Sequence, residues 1–177
     1  GPYYLTALVK ALGPVQEVIG YSKKTFDKRN VENPEVNYKE INVDVDTHYF
    51  GLLKFKSGII VDFQVTFDIW KPYDPKLEIY GDQSSLKLAD PNNYDGEIFI
   101  FDKDLYQWEL IYSSTDSQNN FYRGLGVVNM VKAIKNNTVS EDELSVPFHI
   151  LEVRCSLDSY NLDSGWKKII QQFWVSN

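Results

Sequence analysis

The sequence predicts an α+β protein, a large, mostly antiparallel open β-sheet with helices packed on one face, and three observations support this fold class. Aromatic residues make up 15% of the 177 residues, which favours strands over a helical bundle. Segments with a strand pattern follow one another in up-and-down order, and only three helical patterns accompany them. The regular alternation of strand and helix that is typical of a parallel sheet is missing.

Composition narrows the possible partners and the cellular location. The net charge is -7 and the lysines are scattered, so a nucleic-acid or anionic-membrane surface is not expected. With a single cysteine, Cys155, no intrachain disulfide can form, and a cytoplasmic, reducing location is expected. Cys155 lies in a helical pattern and is predicted to be a small buried hydrophobe. The sequence has neither an apolar run of membrane-spanning length nor a signal-peptide pattern.

The first helix is predicted from the spacing of four apolar residues on one face, Leu5, Leu8, Val9 and Leu12. Pro2 suits the first helical position, which makes Gly1 the expected N-cap, and Gly13-Pro14 ends the helix. Tyr3 falls nearly opposite the apolar face, beside Lys10. Two interpretations stay open: Tyr3 is ordinary surface, or it faces something outside this chain.

The clearest strand pattern spans residues 47–67. Odd positions from Tyr49 to Phe67 are mostly apolar and many even positions are polar, so odd positions must pair with odd ones if one face is buried. This parity requires a loop with an odd number of residues, and residues 56–58 fit a three-residue turn with Gly58 left-handed. Phe55 should then lie opposite Ile59. Apolar residues on the even face, Phe50 and Leu52 among them, predict that the second face is covered too.

The other elements are predicted from periodicity and turn signals. Residues 27–36 are predicted to form a polar loop. The remaining predicted elements are strands at 15–26, 76–80, 84–88, 97–102 and 107–112, a helix at 121–137, a helix from Pro147, with Ser145 or Val146 near its cap, to Gly165, and an edge strand at 167–175.

No self-sufficient active site stands out in the sequence. His48 and His149 are far apart and lack the spacing of metal ligands, so no metal is expected. The pairs Asp44/Asp46 and Asp102/Asp104 lack the glycine and terminal Glu of a calcium loop. The stretch "RGLG" at 123–126 lacks the lysine of a P-loop, so its glycines are interpreted as allowing close packing.

Four stretches together resemble one family. They are "GPYYLTALVKALGPVQEV" (1–18), "EIYGDQSSLKLADPNNYDGEIFIF" (78–101), "YRGLGVVNMVKAIKNN" (122–137) and "VPFHILEVRCSLDS" (146–159). In this order and spacing they resemble the C-terminal domain of the glucose-fructose oxidoreductase / inositol dehydrogenase / MocA family. Members are NAD(P)-dependent enzymes that act mostly on sugars and polyols, and in them a Rossmann domain precedes this sheet domain.

The resemblance implies an organisation and a role for one tyrosine. Residues 1–177 are expected to form a single C-terminal substrate-binding and oligomerisation domain, with the Rossmann domain outside this chain. In the family the first helix opens with Asp-x-Gly-x-His or Asp-x-Gly-x-Tyr, and Gly1 and Tyr3 match its Gly and final Tyr. The resemblance therefore implies that Tyr3 is catalytic, moving the substrate hydroxyl proton while hydride passes to NAD or NADP.

The resemblance also implies substrate-binding residues and partners. Asp68, Trp70 and Arg123 are the candidates for binding a sugar or polyol, although Trp70 could instead cover a sheet edge. The family's helix histidine, matched by His149, is expected to be structural. A homodimer or tetramer formed through the sheet is expected, and the isolated chain is expected to be inactive and to hold no cofactor. The alternative is a non-catalytic dimerising or carbohydrate-binding β-sheet module.

Overall fold

The fold is described from a computed structural model of the chain. The structure describes residues 1–31, 33, 35, 39–71, 77–93, 95–114, 124–138, 141–158 and 165–170. At residues 141–144 it describes the backbone only. The chain divides into two compact units, one made of Gly1–Trp70 with Glu141–Asn177 and the other of Lys71–Ser140. Antiparallel sheets and a few helices make up both units, so the predicted α+β class is confirmed.

The first helix, α1, spans Pro2–Leu12 and has the ends that the sequence predicts. Gly1 is the N-cap, and the helix ends at Gly13, whose φ of 87° lies in the region that favours glycine. Of the four residues on the predicted apolar face, Leu5, Leu8 and Val9 are in the core and Leu12 is half-buried. The prediction for this helix is therefore confirmed from cap to cap.

The strands of the first unit form a four-stranded antiparallel sheet and a short ribbon. The sheet has the order β10-β1-β4-β5, and the ribbon pairs β2 with β3. Their bounds are β1 (Val15–Lys23), β2 (Lys28–Asn30), β3 (Glu40–Asn42), β4 (His48–Phe55), β5 (Ile60–Thr66) and β10 (Lys167–Lys168). The prediction of a polar loop at 27–36 is wrong for the three residues of β2, which form a strand. All three are polar, so the sequence shows no apolar alternation that would indicate a strand there. The described part of the last predicted strand lies at the sheet edge, as expected; residues 171–175 are outside the described residues.

The hairpin between β4 and β5 has the predicted register. The N–H of Phe55 donates to the carbonyl of Ile59 over 2.9 Å, and the N–H of Gly58 donates to the carbonyl of Phe55 over 2.9 Å. Gly58 has a φ of 88°, as a left-handed turn residue requires. The turn and the odd-with-odd pairing across the hairpin are both confirmed.

The two faces of this sheet have different surroundings. Helix α1 and the last helix, α3 (Glu141–Ser156), contact each other, and α3 contacts β1. The face on this side buries Val18, Leu53, Phe55 and Phe63. On the second face, which we call the outer face, lie five apolar residues that are at least partly exposed: Ile19, Tyr21, Phe50, Leu52 and Ile60.

Helix α3 differs from its prediction at both ends. It begins at Glu141 rather than at Pro147, so the proline lies inside the helix, and it ends at Ser156 rather than Gly165. Glu141, Glu143 and Leu144 are residue types of high helix propensity, and the helix runs from them through Pro147, although an interior proline removes one backbone hydrogen bond. Cys155 is exposed rather than buried, because the buried face of α3 is formed by Ile150, Val153 and, just beyond its end, Leu157.

His149 is the polar residue that ties α3 to the sheet. Its side chain is buried, and its Nε2 accepts a hydrogen bond from the backbone N–H of Val15 over 3.0 Å. This contact joins the middle of the helix to the first residue of β1. The structural role expected for His149 agrees with this position.

The second unit contains a four-stranded antiparallel sheet in the order β6-β7-β8-β9 and one helix, α2. The bounds are β6 (Glu78–Tyr80), β7 (Ser85–Lys87), β8 (Gly96–Asp102), β9 (Gln107–Ser114) and α2 (Leu125–Asn136). All four strands lie where the sequence predicts them. Helix α2 ends at Asn137, which is left-handed with a φ of 53° and closes the helix.

Within the described ranges, every helix is too short or too polar to cross a lipid bilayer.

Candidate functional site

The candidate site is a cleft that begins where β5 ends. It has a volume of about 610 Å³, within the range of small-molecule sites. We call it the Trp70 cleft, and it is lined by Phe26, Arg29, Asn30, Phe67, Asp68, Ile69 and Trp70. Two of the predicted substrate-binding residues, Asp68 and Trp70, therefore line one cavity.

Asp68 is held at the centre of a hydrogen-bond network. Its Oδ2 accepts a bond from the Thr25 hydroxyl over 2.5 Å and another from the Thr47 hydroxyl over 2.8 Å. Its Oδ1 accepts a bond from Nη2 of Arg29. The pKa of the Asp68 carboxyl is lowered from its ordinary value, chiefly by the hydrogen bond from the Thr25 hydroxyl. Desolvation opposes this shift in part, and the Thr47 hydroxyl and the Arg29 guanidinium add to it. The carboxylate is thus ionised at neutral pH and joins three segments that are distant in sequence.

Arg29 is the residue of this cleft that sequence reasoning missed. Its Nη2 also donates to the carbonyl of Phe67 over 2.8 Å, and its guanidinium lies over the ring of Phe26, 5.9 Å from the centroid. Arg29 stands in the polar stretch that was predicted to be a loop. No motif or periodicity marks it, since its partner Asp68 lies 39 positions along the chain.

Trp70 projects from the cleft and is fully exposed. A tryptophan that covered a sheet edge would bury part of its indole, so this exposure argues against that alternative. Phe67 and Ile69 of the same segment are also exposed. Apolar side chains scattered singly on a surface are ordinary, whereas several around one cleft are typical of a binding surface.

Tyr3 lies at the same end of the sheet as the cleft. Its side chain is 62% exposed, on the side of α1 away from the buried Leu5 and Val9. The start of α1 rests against the end of β5, because a Cβ added to Gly1 would lie 3.9 Å from a methyl group of Val65. Val65 precedes Asp68 by only three residues. Tyr3 is therefore available to a partner at this end, as one of the two interpretations requires.

The other predicted candidates are not part of the cleft. Arg123 lies outside the described residues. Asp46 accepts a hydrogen bond from the Ser22 hydroxyl, and Asp102 accepts bonds from the backbone N–H groups of the turn that follows it. Across the described ranges, no three His, Cys, Asp or Glu side chains cluster closely enough to hold a metal ion.

A second cavity, of about 660 Å³, lies between α1 and α3. Apolar side chains line most of it, together with two cations, Lys10 and Arg154. None of the predicted site residues is among its lining residues. The Trp70 cleft therefore stays the candidate site, since it holds the charged network and the exposed indole.

Comparisons with known proteins bear on both the fold and the family. The family model described as "GFO/IDH/MocA C-terminal domain" matches residues 1–87. The search of curated proteins found no match for this chain.

Several solved structures share the fold. Levoglucosan dehydrogenase in its apo form matches with a TM-score of 0.67 at 12% identity, over 97% of this chain and 50% of that one. An NAD-binding oxidoreductase from Klebsiella pneumoniae matches with 0.65 at 14%, over 97% and 50%. A super-repressor mutant of Gal80p from Saccharomyces cerevisiae matches with 0.62 at 11%, over 98% and 50%. Other structures of levoglucosan dehydrogenase hold NADH with levoglucosan or with L-sorbose.

At such low identity the structures establish the fold alone, and this chain spans about half the length of the structures that it matches. The family model, in contrast, covers the predicted first helix and the β4–β5 hairpin, and it ends with β7. The match over residues 1–87 confirms the resemblance to the C-terminal domain of the GFO/IDH/MocA oxidoreductase family that was inferred from the sequence.

Proposed function

We propose that residues 1–177 are the C-terminal substrate-binding and oligomerisation domain of an NAD(P)-dependent oxidoreductase. Its substrate is a sugar, polyol or related hydroxyl compound, oxidised or reduced by hydride transfer. The observation that carries the proposal is the exposure of Tyr3 on the first turn of α1, within the segment that the family model matches. The levoglucosan dehydrogenase structures with NADH and a sugar support the substrate class by analogy.

The cofactor would be held chiefly by a nucleotide-binding domain outside this chain. Among the described residues, no βαβ unit with a glycine-rich turn could receive the pyrophosphate. When bound, the nicotinamide supplies the acceptor or donor of hydride. This chain supplies the wall on the substrate side, with Tyr3 on α1 and the Trp70 cleft at the end of β5.

In this arrangement Tyr3 moves a proton at the substrate hydroxyl. A phenol has an ordinary pKa near 10, so a neighbouring cation must favour its ionised form if it is to work at neutral pH. The resemblance implies that this cation is a lysine of the absent domain. The phenol is suited to the role because it is not committed to the core of its own domain.

The test uses the longer protein. Reading the coding sequence upstream of Gly1 should reveal a Gly-x-Gly-x-x-Gly motif in a βαβ unit. In that protein Tyr3→Phe should lower kcat about 10²- to 10⁴-fold, because it removes only the ionisable hydroxyl. Tyr4→Phe removes a hydroxyl from the next residue of the same helix and should leave kcat unchanged. An upstream sequence with no nucleotide-binding motif, or full activity in Tyr3→Phe, would refute the proposal.

The outer face of the first sheet supports the oligomerisation part of the proposal. Five apolar side chains lie on this face of β1, β4 and β5, together with Asp62, Gln64 and the ion pair of Glu17 and Lys54. A second copy of the chain is the proposed occupant, because a two-fold contact would place apolar centre on apolar centre. Light scattering should give a dimer or a larger oligomer, and a strict monomer would contradict this part.

A second candidate function is a non-catalytic dimerising or carbohydrate-binding module. The fold match to the super-repressor mutant of Gal80p favours keeping it, since the fold is not confined to structures described as dehydrogenases. The upstream sequence separates the two candidates, because a non-catalytic module needs no nucleotide-binding motif. A cytoplasmic location stays a prediction from the cysteine content.

A further inference from the structure

We propose that the Trp70 cleft selects a carboxylate-bearing ligand, such as a sugar acid, over the neutral sugar, and that Arg29 is the residue that makes the selection. This inference deepens the proposed function and rests on it for the hydroxylated ring. It reverses the role expected of Asp68, which was predicted to meet the ligand with its carboxylate.

The ion pair in the cleft exposes its cation more than its anion. Asp68 and Arg29 form an ion pair, but the Asp68 side chain is only 8% exposed whereas that of Arg29 is 32% exposed. The two threonine hydroxyls and the guanidinium also use the lone pairs of the carboxylate on its protein side. A ligand in the cleft therefore meets the cation of this pair rather than the anion.

The N–H groups of Arg29 differ in whether the protein already uses them. Nη2 is used by Asp68 and by the carbonyl of Phe67, while Nε is buried and has no hydrogen-bond partner among the described residues. Those two bonds and the ring of Phe26 hold the guanidinium in place. Of the five N–H donors of a guanidinium, the two of Nη1 are then left, and they can donate to a carboxylate oxygen without any loss of the bonds to Nη2.

The other lining residues of the cleft indicate what else the ligand carries besides a carboxylate. Among the described lining residues of the cleft Arg29 is the one cation, whereas the nearby Lys24 and Lys28 do not line it and pair with Asp27 and Glu40. Around it stand the exposed indole of Trp70 and the ring of Phe67, which offer apolar faces to the C–H side of a sugar ring. A ring that carries both a carboxylate and hydroxyl groups fits this combination.

The test compares D-glucuronate with D-glucose, which differ only at the carbon that carries the carboxylate. Calorimetry on the 177-residue chain at fixed ionic strength should show that glucuronate binds at least about tenfold more tightly, the effect of one charge-assisted hydrogen bond. In parallel, the NMR signal of the Trp70 indole N–H should shift on titration. Acetate should bind more weakly than glucuronate, because it lacks the ring.

Two variants test whether Arg29 produces the preference for glucuronate. Arg29→Gln should remove the preference, so that glucuronate binds no more tightly than glucose to the variant. Lys28→Gln removes the same charge from the same strand but does not line the cleft, so it should keep the preference. If Arg29→Gln also loses glucose, its cleft has been disturbed, and the comparison of the two sugars on the unaltered chain decides.

The outcomes that overturn the inference are distinct from failure of the proposed function. Equal binding of glucuronate and glucose overturns the selection but is compatible with a sugar-binding domain. Binding of neither probe, or equal losses in Arg29→Gln and Lys28→Gln, overturns the assignment of the cleft. The absence of an upstream nucleotide-binding motif overturns the proposed function and leaves the binding result standing.

Discussion

Two glycines set how closely the last helix approaches the first sheet. Gly20 of β1 and Gly51 of β4 lie opposite each other, and the side chain of Leu157, at the end of α3, rests on both. A Cβ on Gly51 would lie 2.3 Å from the carbonyl oxygen of Ile19 and 2.8 Å from the Cα of Gly20. Both are backbone atoms, so relief would require the two central strands to move apart.

The expected destabilisation follows from what each Cβ meets. For Gly51→Ala the overlap is with backbone, and we expect the free energy of unfolding to fall by about 3 kcal/mol or more, at or beyond the upper end of ordinary overpacking. For Gly20→Ala the nearest atom, at 2.6 Å, is the flexible end of Leu157, and the carbonyl oxygen of Phe50 follows at 3.1 Å. A rotation of the leucine relieves part of this overlap, so we expect a loss of about 1–2 kcal/mol.

Equilibrium unfolding in urea, followed by far-UV circular dichroism, measures both changes as shifts of the midpoint at constant slope. Gly58→Ala is the matched control, because a Cβ there meets nothing within 4 Å and the substitution acts only through the positive φ. We expect it to cost about 1 kcal/mol. The control therefore separates conformational strain from steric overlap.

A double substitution gives the sharper test. Leu157→Ala removes a buried side chain and is itself destabilising. In a double-mutant cycle, Gly20→Ala should nevertheless cost less in the Leu157→Ala background than in the unaltered chain, since the overlapping methyl group is gone. The cost of Gly51→Ala should persist in that background, because its main overlap is with Ile19. If Gly51→Ala were as stable as the unaltered chain within about 0.5 kcal/mol, the close approach of β1 and β4 described above would be wrong.

Three further predictions concern single side chains. Replacing His149 by Phe leaves the buried N–H of Val15 without its acceptor and should lower the free energy of unfolding by about 1–3 kcal/mol, with partial recovery in His149→Gln; equal urea midpoints would contradict this. The folded-state pKa of Asp68 is below its unfolded value, so its contribution to stability is present above about pH 4 and is lost as the pH falls through the folded pKa. Unfolding curves measured down this acidic range should therefore fall less steeply for Asp68→Asn than for the unaltered chain. Phe50→Lys places a charge at the centre of the outer face and should convert the oligomer to a monomer in light scattering, and an unchanged mass would contradict the proposed contact.

The Trp70 cleft illustrates why the sequence indicated only part of the site. Asp68 and Trp70 were predicted from the family resemblance, which implies that substrate lies at the exposed end of the sheet. Arg29, Thr25 and Thr47 were not, because they lie 39, 43 and 21 positions from Asp68 along the chain and only tertiary structure brings them to its carboxylate. The catalytic role of Tyr3 stays a prediction, although its exposure is that of a residue not used by its own core.

The sequence by itself determined the elements whose signal is local. The apolar face of α1, its two caps, and the alternation and glycine turn of the β4–β5 hairpin follow from side-chain periodicity and from the backbone freedom of Gly58, which act over a few residues. The tertiary structure decided the rest. It placed β10 beside β1 across most of the chain, carried α3 through Pro147, turned Cys155 to solvent and joined Arg29 to Asp68. These outcomes depend on contacts between distant segments, and no local pattern specifies which distant segment will supply the partner.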